Sequence, residues 1–291
     1  MNNQPLSESV FLLQEDGSVY HLGLKPGELA ETVVLVGDPD RVGMVSAYFD
    51  EVELVKQQRE FVTHTGYFSG QRLSVVSTGI GTSNVDIVLN EIDALHNIDF
   101  TSRQAKPEPV SLNLIRIGTC GSLDPEVEPG AAIVSQYAAG FDGALNHYAL
   151  PTNGQSDSFQ QTVRRVFQDW PMHSAVYGAV ADPSWVQKLS GLGVAGITLT
   201  CSGFYAAQHR EWRLPLCDQS VFSYIDQLIF NDARVKNFEM ETAMLLGLGG
   251  FLGHRCASVS LAVVNRITEK ALAHPKAAMH DFIGRVLNLV C

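Results

Sequence analysis

The chain has 291 residues, 45% hydrophobic and 18% charged, enough to bury a sizeable core as one large domain or two ordinary ones. Asp and Glu total 31 against 20 Lys and Arg, and the net charge of -11 repels polyanions and argues against nucleic acid as a partner. A small anion is still admissible, because a few arginines converging in a water-poor pocket outweigh a distant negative surface.

The five cysteines, Cys120, Cys201, Cys217, Cys256 and Cys291, form no C-x-x-C pair and leave one thiol over in any pairing scheme. That usage fits a reducing compartment. Residues 1–17 show no basic n-region, long apolar stretch or cleavage pattern. No apolar run nears the roughly 20 residues of a membrane span. The expectation is a soluble, cytoplasmic protein with no membrane partner.

Short β-branched runs at 32–36, 73–77, 112–117, 131–135 and 257–264 are bounded by Gly, Pro, Asp or Asn and read as buried strands. Between them Val85, Val88, Leu89, Ile92 and Leu95 share one helical stripe, as do Met240, Met244, Leu248 and Phe251. This alternation predicts an α/β fold with a largely parallel or mixed central sheet covered by helices. No repeat, low-complexity tract or linker divides the chain, so residues 1–291 read as a single domain, 1–18 being an N-terminal extension. Two irregular stretches, 99–109 and 151–158, read as surface insertions.

In open α/β sheets ligands sit beyond the carboxyl ends of strands, so the loops there carry the chemistry. Gly37-Asp38-Pro39-Asp40-Arg41 has two readings. It is either a turn in which Asp38 or Asp40 caps a helix beginning near Arg41, or an anion site where Gly37 exposes backbone N–H groups and Arg41 adds donors. The segment 77–84, STGIGTSN, has Asn84 where a dinucleotide fingerprint needs a third glycine, and no G-K-[ST] follows. It reads as a turn into a helix capped by Ser83 or Asn84, small enough to admit a ligand.

Arg116 stands inside the apolar run LNLIRIG, where burial demands a carboxylate, carbonyls or an anionic ligand. Thr119 and its flanking glycines suit hydrogen bonding to a phosphate oxygen. Cys120 reads as a small buried thiol, since no pattern supplies the paired base of a nucleophile. At 237–242, NFEMET heads the later helix. Its carboxylates either complement the helix dipole or accept hydrogen bonds from vicinal sugar hydroxyls, and a spacing of two lets only one face a ligand.

In chain order, VVLVGDPDRV, STGIG, LIRIGTCG, FYAAQHR and NFEMET resemble the uridine phosphorylase branch of the nucleoside phosphorylase-I family, from about residue 21 to 266 and beyond. The resemblance implies a single domain with a mixed, partly barrel-like sheet, assembled as a dimer-based homo-oligomer, commonly a hexamer. It implies a pentosyltransferase that uses inorganic phosphate to split uridine, with deoxyuridine and thymidine as further substrates, into base and sugar 1-phosphate. No redox cofactor, covalent intermediate or metal is implied.

The implied phosphate site is Gly37, Arg41, Arg116 and Thr119, with Arg59 reaching in from a neighbouring subunit. The implied ribose site is Glu239, Met240 and Glu241, with His21 contacting the 5′-hydroxyl across the interface. The implied base site is Cys120, Gly121, Phe204, Gln208, Arg210 and Arg266. Arg41, Arg116 and Glu241 become the catalytic residues. Asn265 stands where purine-specific relatives place a proton-donating aspartate, which argues against the purine alternative; a non-catalytic nucleoside-binding protein is the other. The chain departs from the pattern at Cys120, usually threonine, at Ala206-Ala207, often Pro-Gly, and at Asn84, a small hydroxyl residue near a cation site in some relatives.

Overall fold

The computed structural model describes residues 4–149 and 154–291. The chain runs β1 (Thr32–Val36), α1 (Pro39–Ser46), the meander β2 (Glu51–Gln58), β3 (Phe61–Phe68) and β4 (Gln71–Ser77), α2 (Thr82–Asn97), and short β5 (Ile98–Asp99) and β6 (Gln104–Ala105). It continues through β7 (Asn113–Ser122), β8 (Ala132–Gly140), α3 (Gly154–Val166), β9 (Tyr177–Val180), α4 (Pro183–Leu189) and β10 (Gly193–Thr200). Last come α5 (Val221–Ile225), β11 (Ile229–Phe230), β12 (Ala233–Glu239), α6 (Thr242–Phe251), β13 (Arg255–Asn265), β14 (Lys270–Ala271) and α7 (Pro275–Val290).

Among the described residues these strands form one twelve-stranded sheet and the β5–β6 hairpin. Within the sheet β12, β10, β8, β13 and β7 pair in that order, and β12 also meets β7 antiparallel at Asn237 and Ser122, closing a barrel-like ring. β1 pairs parallel with β7 and β4 and carries the sheet outward to antiparallel β3 and β2. The expected α/β fold with a mixed, partly barrel-like sheet is observed.

Strand pleating sorts the core into two layers. Val33 and Leu35 of β1 pack with Val85, Val88 and Ile92 of α2 and with the apolar side chains of α6. Val34 and Val36 point the other way, onto Val42 and Val45 of α1 and Phe282 and Ile283 of α7. Both faces of β1 are therefore covered, which is why its sequence is apolar without alternation.

Several local expectations change. α1 starts at Pro39 rather than Arg41, with Asp38 as its cap accepting from the Asp40 N–H at 3.0 Å. α2 is preceded by Gly81 with no side-chain cap, so neither Ser83 nor Asn84 serves. NFEMET straddles two elements, ending β12 and starting α6 only at Thr242. α6 is buried on every side along Thr242 to Gly249, not on one stripe, because the ring and α2 enclose it.

Residues 99–109 lie at the surface as expected, and Arg103 within them donates to the carbonyls of Leu6 at 2.8 Å, Ser7 at 3.2 Å and also Phe11, pinning the N-terminal segment. Of 151–158, residues 151–153 lie outside the described residues and 154–158 open α3. Among the described residues no helix is long and apolar enough to cross a membrane.

Candidate active site

Because Leu114 of β7 faces α2 and α6 while Ile115 and Ile117 face α1 and α7, alternation turns Arg116 toward the N-termini of α2 and α6. Its side chain is buried, 5% exposed, against two carboxylates. Nη2 donates to Glu241, and Nη1 lies 3.5 Å from Glu239 Oε2. Gly118 makes room for this, since a Cβ there would fall 1.8 Å from Nη1. Nε and Nη1 have no hydrogen-bond partner among the described residues. Buried donors are rarely left so, and Nη1 keeps only its ion pair with Glu239.

The two carboxylates have different work. Glu239 accepts from the backbone N–H groups of Glu241 at 2.9 Å and Thr242 at 2.8 Å, and from the Thr200 hydroxyl at 2.5 Å. Thr200 Oγ1 in turn accepts from the Ala243 N–H at 2.9 Å. Together they satisfy the first free amides of α6. Glu241 instead accepts from Arg116 and from the Gly81 N–H at 2.6 Å, a contact that the positive φ of Gly81, 92°, presents.

Burial pushes the Glu241 carboxyl above its ordinary range despite Arg116, and Glu239 adds to the rise. Burial and then the charge of Arg116 push the Arg41 guanidinium down, a repulsion that a bound anion would relieve. Arg41 Nη1 donates to the Ile117 carbonyl at 3.4 Å, beside the same strand end.

These groups open on one cavity of about 960 Å³. Gly37, Arg41, Arg116, Thr119, Cys120, Gly121, Phe204, Gln208, Arg210, Glu239, Met240, Glu241 and Arg266, all singled out in the sequence, line it. In the same lining Arg210 Nη1 donates to Gln208 Oε1 at 2.5 Å and the Phe204 carbonyl at 2.7 Å, and the Arg210 guanidinium sits 4.0 Å from the Phe204 ring centroid. Arg266 donates to the Gln208 carbonyl and, at 3.2 Å, to that of His209, so it braces the backbone that presents Gln208. Burial, then Arg210, pushes Arg266 down to about 10, so it is still charged at neutral pH.

Burial pushes the Cys120 thiol up, which keeps it a neutral thiol and a poor nucleophile. Asn265 spends its whole amide on its own loop. Nδ2 donates to the carbonyls of Asp124 at 2.7 Å and Val127 at 2.8 Å, while Oδ1 accepts from the Ile267 and Thr268 N–H groups, each at 2.9 Å. Among the described residues no group of three or more His, Cys, Asp or Glu side chains is placed to hold a metal ion.

His21 and Arg59 are not among the residues lining the cavity. They meet instead on Tyr20, whose ring lies edge-on to His21 with centroids 5.0 Å apart and 5.2 Å from the Arg59 guanidinium. Arg59 has φ 53° at the tip of the β2–β3 hairpin. The sequence offered no view of Phe238, which lines the cavity 5.5 Å from the Arg266 guanidinium, because an apolar residue in NFE reads as core. The Gly81 N–H was equally hidden, as a backbone donor has no residue-type signature.

Residues 31–290 match the Phosphorylase superfamily. A uridine phosphorylase of Thermococcus kodakarensis is 31% identical over 263 residues, 88% of this chain and 80% of the relative. A DeoD-type purine nucleoside phosphorylase of Caldanaerobacter subterraneus is 36% identical over 127 residues, covering 43% of this chain and 49% of the relative. Among solved structures, a Trypanosoma brucei nucleoside phosphorylase described as showing uridine phosphorylase activity superposes with a TM-score of 0.87 at 28% identity, covering 96% of this chain and 99% of that one. With nearly the whole chain matched and the same architecture recovered, this protein belongs to the phosphorylase superfamily.

Proposed function

We propose that the chain catalyses reversible phosphorolysis of uridine, giving uracil and ribose 1-phosphate, with inorganic phosphate as co-substrate and deoxyuridine and thymidine as further substrates. The observation that carries this reading is the buried Arg116 guanidinium, which holds Glu241 through Nη2 while Nε and Nη1 have no hydrogen-bond partner among the described residues. An anion site and a sugar-accepting carboxylate thus adjoin in the cavity that Arg41 and Thr119 also line.

In this reading Gly37, Arg41, Arg116 and Thr119 hold phosphate below C1′, and Glu241 with Met240 orients the ribose. Glu239, committed to the head of α6, keeps Glu241 in place. As the glycosidic bond lengthens toward an oxocarbenium-like state, a phosphate oxygen captures C1′, and the phosphate charge stabilises the developing cation. Uracil leaves as an anion whose charge falls on Gln208 and Arg210, while Cys120, Gly121 and Phe204 wall the base and Arg266 braces the Gln208 turn. His21 and Arg59, outside their own cavity around Tyr20, serve a neighbouring copy in a dimer-based homo-oligomer, a hexamer. Five unpaired cysteines accord with a cytoplasmic setting.

Asn265 argues against purine nucleosides, because its amide is already satisfied by four hydrogen bonds and carries no acidic proton for a purine N7. The deciding experiment mixes the purified protein with uridine or inosine, with and without phosphate, and follows free base. Phosphate-dependent uracil release is expected. Equal release in both buffers would remove phosphorolysis, and a preference for inosine would remove the pyrimidine assignment.

A further inference from the structure

Glu91, in the middle of α2, has no place in the cavity, yet it spends both oxygens on one short segment of the N-terminal region. Its carboxylate accepts from the backbone N–H of His21 at 2.9 and 3.1 Å, from that of Leu22 at 2.8 Å, and pairs with His21 Nδ1 at 2.6 Å. The side chain is only 13% exposed, and His21 is 27% exposed. Two backbone amides cannot give up their protons, so both oxygens already act as acceptors. An ionised carboxylate has only lone pairs to offer Nδ1, and Nδ1 therefore carries a proton.

In the neutral imidazole this leaves the lone pair on Nε2. That nitrogen makes no hydrogen bond within the described residues, and the ring is held edge-on to Tyr20, itself beneath Arg59. We infer that Glu91 is a positioning residue that fixes His21 as a hydrogen-bond acceptor at Nε2, and thereby sets a preference for nucleosides bearing a free 5′-hydroxyl. The inference rests on the reading above in which His21 reaches the ribose held by a neighbouring copy. A primary alcohol donates to such an acceptor, and a 5′-methyl group cannot.

Glu91→Gln separates this role from simple support. The amide has one acceptor oxygen for three donors, so its NH₂ group must confront either a backbone N–H or Nδ1–H. Either outcome loosens the ring or reverses its tautomer.

The test measures phosphorolysis by the full-length protein with uridine and 5′-deoxyuridine, in wild type, Glu91→Gln, His21→Ala and the double variant. Glu91→Gln should raise KM for uridine about five- to tenfold while KM for 5′-deoxyuridine stays within about twofold. KM for phosphate should not move, and the double variant should match His21→Ala. An equal rise for both nucleosides, or a further rise when Glu91→Gln is added to His21→Ala, would overturn the inference. If His21→Ala itself treats the two nucleosides alike, the underlying placement of His21 fails instead. Should Glu91→Gln not fold, Glu91→Asp keeps both oxygens but withdraws them by one methylene, and it must show the same selective loss for uridine; an equal shift in both KM values counts against the role.

Discussion

Replacing Gly118 by alanine isolates the part of the site on which the phosphate reading depends. The added Cβ would stand 1.8 Å from Arg116 Nη1 and 2.7 Å from its Cζ, with no backbone atom among its nearest neighbours. Carbon–heavy-atom contacts settle near 3.5 Å, so the guanidinium nitrogen must withdraw by about 1.7 Å. Gly118 lies in β7 and has no positive φ, so the backbone accepts alanine without strain. The clash is with the far end of a flexible side chain, which limits the stability loss to about 1–3 kcal/mol. A misplacement above an ångström in a group that holds a reactant costs on the order of a hundredfold in rate. Steady-state kinetics with phosphate varied, alongside thermal denaturation, should therefore show kcat/KM for phosphate down about a hundredfold in a protein that still melts cooperatively. Wild-type phosphate kinetics in Gly118→Ala would refute the placement of Arg116 at the phosphate.

Three further outcomes follow from the same geometry. The Glu241 carboxyl is raised above 4.5, so its charge is lost as pH falls through the region above that value, and with it the hold on Arg116 and on sugar hydroxyls. The native state binds this proton more readily than the unfolded chain, so its uptake does not itself unfold the protein. The acid limb of kcat/KM should accordingly lie above 4.5 while circular dichroism is still native, and a flat profile down to that pH would count against the role. Asn265→Asp places a carboxylate against the carbonyls of Asp124 and Val127, should cost about 2–4 kcal/mol by denaturant titration, and should not confer inosine cleavage. Cys120→Ser should keep turnover within about tenfold, whereas loss of a nucleophile would cost about 10⁴-fold or more.

The sequence was most legible where a strand is buried on both faces and ends in a glycine turn. β1 matches its predicted run, and the loops after β1 and β4 and the polar residues of β7, above all Arg116 in LIRIG, stood out as costly to place by chance, although β7 runs on through Ser122 and takes in the Gly118–Gly121 segment expected to follow it as a loop. What it concealed has physical causes. β2 reads EVELVKQQ and lies at the sheet edge with alternating exposure, so its charge masks its strand character. β10, GVAGITLT, begins with exposed glycine and valine and is buried only from Gly196 onward, so its first half lacks the signature of a core strand. The cap of α2 was misassigned because the chain meets the head of that helix with a backbone amide that serves Glu241, and Ser83 and Asn84 stand inside the helix. The role of Glu91 could not be seen at all, since its partners, two backbone amides and the His21 ring, lie 69 and 70 residues away.

NFEMET shows why the two readings of its carboxylates need not compete. Dipole complementarity describes Glu239, which takes up the free amides of α6 and lies 3.5 Å from Arg116 Nη1. The proposed ligand role falls to Glu241, which is left at the turn with Arg116 and the Gly81 N–H as its partners. The strand-to-helix corner separates them, because β12 ends at Glu239 and α6 starts at Thr242. A buried ion pair of this kind adds little to stability once desolvation is counted. The pair keeps Arg116 charged in an apolar strand, and among the described residues Nε and Nη1 are left without a hydrogen bond, as the proposed anion site requires.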